Sequence, residues 1–432
     1  LAHSPGAAAA DPPRSSVAVT DPTGDTMKGD VVVPNQPAAD ITAASARYQN
    51  DFVTFTMKLL KGDGLSDADS RLFWIITTNT ESCCENIVSI KKGANGLQIV
   101  MGDPDAPLDP ADPTQQCANS TLSHDIAAGT YIAAVHTSCI SPDPLPSFMW
   151  RAIRQIGPSS EPVSDFAPDS TENSAAASAV TNTKVSGYWA IGSDGKVYGF
   201  GDAIKTGEPV TTLLNTVDIE SSPHGTGYWT LNDLGAVNAY GPIGYGSLAD
   251  GALQAGERAV SMSSTPSGAG YWIFTNKGRA IGFGDADKNI GDVSKIPLNA
   301  EVLDSAAMPS GKGYYLVAAD GGVFALGDAK FEGSMGDTKL NQPVQSIVPD
   351  PDGQGYWLVA SDGGVFAFKA VFRGSTGSMK LNKPMTGMVP FGNGYLMVAE
   401  DGGVFNYSDR PFSGSLGNNP PANPIVSIAA LN

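Results

Sequence analysis

Over the C-terminal half of the chain, apolar positions gather into short runs separated by Gly, Asp, Asn and Ser, with no helical period between them. The clearest run reads Gly355-Tyr356-Trp357-Leu358-Val359-Ala360-Ser361-Asp362-Gly363-Gly364-Val365-Phe366-Ala367-Phe368. Aromatic and β-branched residues on either side of Asp-Gly predict two strands joined by a tight turn. Variants of this stretch place tyrosines at 188, 228, 271, 314, 356 and 395, spaced 40, 43, 43, 42 and 39 residues apart. Asp194-Gly195, Asp320-Gly321, Asp362-Gly363 and Asp401-Gly402 supply the positive φ of a two-residue hairpin turn, while Leu234-Gly235 and Lys277-Gly278 keep only the glycine.

After each hairpin the pattern predicts a third, shorter strand carrying Phe-x-Gly-Ser (Phe331 to Ser334, Phe372 to Ser375, Phe412 to Ser415) and a fourth such as Pro343-Val344-Gln345-Ser346-Ile347 or Pro424-Ile425-Val426-Ser427-Ile428. Four short strands per repeat of roughly 40 to 45 residues is the spacing of a propeller blade, whereas β-helix repeats are much shorter. The hairpin occurs six times, and a weak seventh version of the Pro-Val strand lies near Ala175 to Thr181. The expectation is an all-β chain ending in a six-bladed β-propeller over 175–432, in which one terminal strand completes a blade begun at the other end. Seven blades is the alternative.

Ahead of the repeats, residues 17–156 carry alternating segments at Asp51–Leu59, Leu72–Thr77, Ile87–Ile90, Leu97–Met101, Thr130–His136 and Ser147–Ile153. Strand-sized runs punctuated by Gly, Pro and Asp predict an N-terminal β-sandwich. Residues 157–174, polar and with three prolines, read as a linker; residues 1–16, rich in small residues and proline, read as a flexible leader left by signal-peptide removal. All four cysteines fall in the sandwich segment, and an even number in a secreted chain predicts two disulfides. A Cys83–Cys84 bond needs a strained eight-membered ring, so each of these is expected to pair with Cys117 or Cys139. Zinc is disfavoured because adjacent cysteines lack the usual ligand spacing.

Composition narrows the function classes. A formal net charge of −18 disfavours nucleic acid, which is held by Lys and Arg neutralising phosphates. No apolar run of about 18 residues is present to span a membrane. Fifty glycines and 31 prolines beside a 41% hydrophobic fraction fit a turn-rich protein with a real core.

The repeats quoted above resemble the tandem units of many secreted actinobacterial proteins; that resemblance covers roughly 185–432 and implies an extracellular β-propeller-like module with no particular reaction. Asp21-Pro22-Thr23-Gly24-Asp25, followed by Ala39-Asp40-Ile41 and an alternating Phe-Val-Thr-Phe-Thr strand, resembles the start of DOMON-like or family 9 carbohydrate-binding jelly rolls. What this resemblance implies is a sandwich that binds calcium, with Asp21, Asp25 and Asp40 as ligands. Hard carboxylate oxygens on a loop suit that ion, although Asp-Pro and Gly-Asp are also simple turn formers.

The chain has only four histidines, and it lacks Gly-x-Ser-x-Gly, His-Glu-x-x-His and phosphate-loop motifs. Gly201-Asp202, Gly284-Asp285 and Gly327-Asp328 recur after the second strand of a repeat, where duplication of a turn explains them more simply than an active site does. Trp189, Trp229, Trp272 and Trp357 are binding candidates for a sugar, set against packing between blades, since neighbours in a strand face opposite ways. The resulting expectation is a secreted, non-enzymatic cell-surface protein, structural or interacting with protein partners, and able to assemble into a layer or filament. It requires no cofactor, with calcium as an option. Carbohydrate binding is the alternative, and a glycosidase or lyase the remote one.

Overall fold

The computed structural model describes residues 16–20, 27–28, 31–32, 41–49, 52–60, 65, 70–77, 86–93, 96–102, 109–117, 120–125, 129–140, 147–156, 163–167, 180–181, 186–209, 215–223, 225, 227–351 and 353–431. The chain divides into two compact units, 1–184 and 185–432. Both are built of antiparallel sheets.

In the first unit one sheet has the strand order Ser16–Thr20, Ile41–Gln49, Phe52–Leu59, Thr130–His136, Ser120–Asp125. The other runs Val31–Val32, Met27–Lys28, Val163–Ala167, Ser147–Ile156, Arg71–Thr77, Asn86–Gly93, Gly96–Gly102. Alternation puts Phe55, Met57 and Tyr131 of the first sheet and Trp74, Val88, Ile90 and Trp150 of the second into one buried cluster. Phe55 and Trp74 bring their ring centroids to 5.4 Å. All six segments expected to be strands are strands.

Two expectations change here. Val163–Ala167, inside the stretch read as a linker, pairs with Ser147–Ile156, and Val180–Thr181 pairs with Ser147 and Phe148, so these segments belong to the first unit. The disulfide is Cys117–Cys139, with Cα atoms 5.9 Å apart, a separation at which such bridges form readily. The ladder explains the pairing. Ser120 lies opposite Val135, so Cys117, before one strand, and Cys139, just beyond the other, meet at the same end. Neither therefore pairs with Cys83 or Cys84, which lie outside the described residues.

Among the described residues the second unit forms six three-stranded antiparallel sheets. Five follow chain order: Thr216–Ser221, Tyr228–Asn232, Val237–Tyr240; then Ala259–Ser264, Gly270–Thr275, Ala280–Gly284; Val302–Ala307, Gly313–Ala318, Val323–Gly327; Val344–Pro349, Tyr356–Ala360, Val365–Phe368; and Met385–Phe391, Gly394–Ala399, Val404–Tyr407. The sheet that precedes them in sequence joins Gly187–Gly192 and Val197–Gly201 to the last strand of the chain, Ile425–Leu431, and is called the first sheet. The inner strands, those listed first in sheets two to six together with Ile425–Leu431, pack one on the next, the sixth against the first.

Buried clusters lie between successive sheets. One sets Trp229 and Leu231 against Met262, Tyr271 and Ile273, and another sets Leu396 and Val398 of the sixth sheet against Tyr188 and Ile428 of the first. Each sheet is covered on both faces, so the adjacent aromatics of a strand, facing opposite ways, are both buried.

The hairpin loop has three residues. Gly192 N–H bonds Lys196 O and Gly195 N–H bonds Gly192 O, and φ is positive at Gly195 (82°) but not at Asp194. The expected two-residue turn needs positive φ at both central residues; here the aspartate instead accepts a bond from the backbone beyond it, as Asp194 does from Lys196 at 3.1 Å and Asp362 from Gly364 at 3.0 Å.

Phe-x-Gly-Ser forms no strand. Gly333, Gly374 and Gly414 have φ of 137°, 134° and 127°, which takes the chain out of extended geometry, and their carbonyls accept the hydroxyl of the following sheet's tyrosine. Tyr356 donates to Gly333 at 2.5 Å, Tyr395 to Gly374 at 2.6 Å, and Tyr188 of the first sheet to Gly414 of the sixth at 2.6 Å. Tyr228, Tyr271 and Tyr314 make the same bond to Gly207, Gly246 and Gly291.

Candidate functional site

A cavity of about 900 Å³ lies among the inner strands of all six sheets of the second unit. Its geometry comes from a shared irregularity. In each inner strand one residue is skipped in the pairing with the second strand, as between Thr216 and Asp218 or between Val302 and Asp304. Such a bulge re-aims the side chain that follows it. The positions so placed are Asp218, Ser261, Asp304, Ser346, Gly387 and Ser427, one from each sheet.

Asp218 Oδ1 accepts from Ser427 Oγ of the first sheet at 2.7 Å, and its Oδ2 accepts from Met262 N–H of the third at 2.8 Å. Two residues on, Glu220 Oε1 accepts from both the N–H and the Oγ of Ser264, each at 2.8 Å. Asp304 Oδ1 accepts from Ser261 Oγ at 3.0 Å, while its Oδ2 accepts from Ile347 N–H at 3.0 Å and from Ser346 Oγ. Ser305 Oγ shares hydrogen bonds of 2.8 Å with Ser261 and with Ser263. The carboxyls thus tie inner strands of neighbouring sheets that have no ladder between them.

Among the described residues, no cation pairs with these three acids. They are half-buried in the wall of the cavity and share its space. Burial pushes the Glu220 carboxyl up to about 7, with Asp304 adding repulsion against the bonds from Ser264. Burial raises Asp218 well above the ordinary carboxylate range, with the Asp304 charge second, and raises Asp304 as well. Glu220 can therefore hold its proton near neutral pH and donate or accept a hydrogen bond within the cavity.

The residues singled out in the sequence lie elsewhere. Trp189, Trp229, Trp272 and Trp357 are at most 2% exposed. Each indole N–H donates to a carbonyl of its own repeat, at Ile204, Ile243, Asp287 and Val371, and each ring meets a tyrosine of the next sheet, as Trp357 does Tyr395 at 5.0 Å. No ring face is open to a sugar. Asp202 and Asp285 bond groups of their own sheet, Ser186 N–H and the hydroxyls of Thr265 and Ser267. Asp21, Asp25 and Asp40 lie outside the described residues, among which no group of His, Cys, Asp and Glu is arranged to hold a metal ion.

Sequence reasoning missed Asp218, Glu220 and Asp304. The available signal was a place in the repeat: Asp218, Ser261 and Asp304 are each 43 residues apart, on strands whose counterparts carry small residues there.

No protein-family model and no curated protein matches the chain. Among solved structures, a chain of a nidogen/laminin complex is similar at a TM-score of 0.41 and 6% identity over 57% of this chain and 98% of that one.

Proposed function

We propose that the protein is a non-enzymatic, extracellular interaction module of the kind found in secreted actinobacterial repeat proteins, with an N-terminal sandwich and a closed six-bladed propeller. The observation that carries this reading is the use made of the cavity's carboxyls. Every one accepts hydrogen bonds from the backbone or hydroxyls of a neighbouring sheet, which fits a rigid frame better than an acid/base pair waiting for substrate. Closure is supported by the last strand completing the first sheet and by the Tyr188–Gly414 bond between the first and sixth. A frame whose function lies in its outer surface suits contact with partners or with further copies in a layer or filament.

Incubating the full chain with a panel of polysaccharides tests the first part: no new reducing ends or unsaturated products are expected, and sustained turnover would overturn it. Electron microscopy of the native protein, with calcium and with a chelator, tests assembly. Ordered filaments or sheets are the expected result, and particles that stay single at high concentration would remove self-assembly from the proposal. Carbohydrate binding is favoured by one observation, the exposed phenylalanines described next.

A further inference from the structure

Three consecutive repeats expose a phenylalanine at the same position. Phe331, Phe372 and Phe412 are 59%, 57% and 55% exposed. Each lies two residues before the glycine whose carbonyl receives the next sheet's tyrosine, and so at the junction of its sheet with the following one. Val371, next to Phe372, is exposed as well. The corresponding residues of the first three repeats, aligned on the carbonyls that accept the tryptophan N–H, are Lys205, Gly244 and Lys288. The aromatic row is confined to the fourth, fifth and sixth sheets. Packing does not account for it, because the cores between these sheets are already filled by Tyr356, Tyr395, Tyr188 and their neighbours.

In a chain of net charge −18 the row sets cations among acids, with Asp328 and Asp409 exposed in the same loops. Lys330 adjoins Phe331 and Arg373 adjoins Phe372; both are exposed, and neither side chain has an ion-pair partner among the described residues. Lys369 lies nearby, paired with Glu332. At about 0.15 M salt the Debye length is near 8 Å, so a ligand at this surface feels the charges of these loops, Lys330 and Arg373 among them, more than the acids of the rest of the chain.

Equivalent aromatic groups at successive repeats suit a ligand that is itself a repeat: apolar sugar faces stack on rings, and guanidinium or ammonium groups bind carboxylates. We infer that the loops bearing Phe331, Phe372 and Phe412, with Lys330 and Arg373, form a docking surface for an extended acidic polysaccharide of the uronate class. This inference rests on the reading of the protein as a non-enzymatic interaction module and names its partner.

The test uses the full chain and three polymers, polygalacturonate, dextran and poly-L-glutamate, in affinity electrophoresis and calorimetry at about 0.15 M salt. Binding is expected to polygalacturonate, at least tenfold weaker to dextran, which has the rings without the charge, and at least tenfold weaker to poly-L-glutamate, which has the charge without the rings. The triple variant Phe331→Ser/Phe372→Ser/Phe412→Ser should lose tenfold or more in affinity with an unchanged melting temperature. The pair Lys330→Gln/Arg373→Gln should lose several-fold on polygalacturonate and leave dextran unaffected.

No binding to polygalacturonate, or wild-type binding by the triple variant, overturns the proposal. Equal binding of poly-L-glutamate also overturns it, assigning the surface to acidic protein segments instead. None of these outcomes touches the non-enzymatic reading. Cleavage of polygalacturonate would overturn that reading while leaving a docking site in place.

Discussion

Glu220 gives the cavity a titration that can be measured through stability. Its folded pKa, about 7, lies above the ordinary glutamate value of 4.5, so the unfolded chain releases this proton at lower pH than the folded one does. Its contribution is therefore complete below pH 4.5 and is lost as pH rises through 7, the opposite of a salt-bridged carboxylate such as Glu301, held low by Arg258 and Asn276. Glu220→Gln removes the titration and keeps an oxygen for Ser264 to bond. Chemical denaturation should find the variant equal to wild type near pH 4.5 and more stable by about 2 kcal/mol at pH 8. A difference independent of pH would mean that Glu220 titrates as it does in water.

At the scale of the elements, stability rests on what passes between sheets. Trp357 is completely buried, and Trp357→Ala should cost about 3–5 kcal/mol in thermal or urea unfolding. Tyr356→Phe removes only the hydroxyl bonded to Gly333 and should cost about 1 kcal/mol, or more because Glu332 N–H also loses its acceptor, the same hydroxyl, at 3.1 Å. In the first unit, Cys117→Ser/Cys139→Ser opens a bridge spanning 22 residues and should cost about 3 kcal/mol. Equal unfolding of the double variant and wild type under non-reducing conditions would show that the bridge does not hold this unit together.

What the sequence revealed follows the same division. Local rules found the hairpins, because Asp-Gly between β-branched runs carries its own turn, and the terminal strand, because Ile425 to Ile428 repeats the inner-strand pattern; the weak seventh version near Ala175 to Thr181 is no blade strand, since Val180–Thr181 pairs within the first unit. Loop length escaped them, since a three-residue loop with glycine last and a two-residue turn share the letters Asp-Gly. The missing outer strand escaped because Phe-x-Gly-Ser looks extended until its glycine carbonyl is claimed by a tyrosine of another sheet. Pairing of Cys117 with Cys139 depends on register, and the cavity acids depend on six bulges at one position. Neither is written in any local motif. The tryptophans looked available only because strand alternation says which way a side chain points and nothing of what covers it.

For the second unit as a whole, the first sheet is finished by residues far along the chain: Tyr188 and Gly414, bonded to each other, are 226 residues apart. Removing 425–432 takes away the inner strand of that sheet and the Ser427 bond to Asp218. Limited proteolysis of the truncated chain should therefore cut first in 187–209, and protection there equal to that of the full chain would deny the terminal strand this role.

The same arrangement makes the position of the break in the backbone arbitrary as far as the six sheets are concerned. No sheet is special in its contacts; only one of them is assembled from two distant stretches. If residue 431 were linked to 186 and the chain of this unit opened instead at the exposed Gly251, every strand would keep its neighbours, and each sheet would be built from one contiguous stretch. Such a permutant should reach the same folded state by a different order of assembly, so the present seam is a feature of folding history more than of the finished structure.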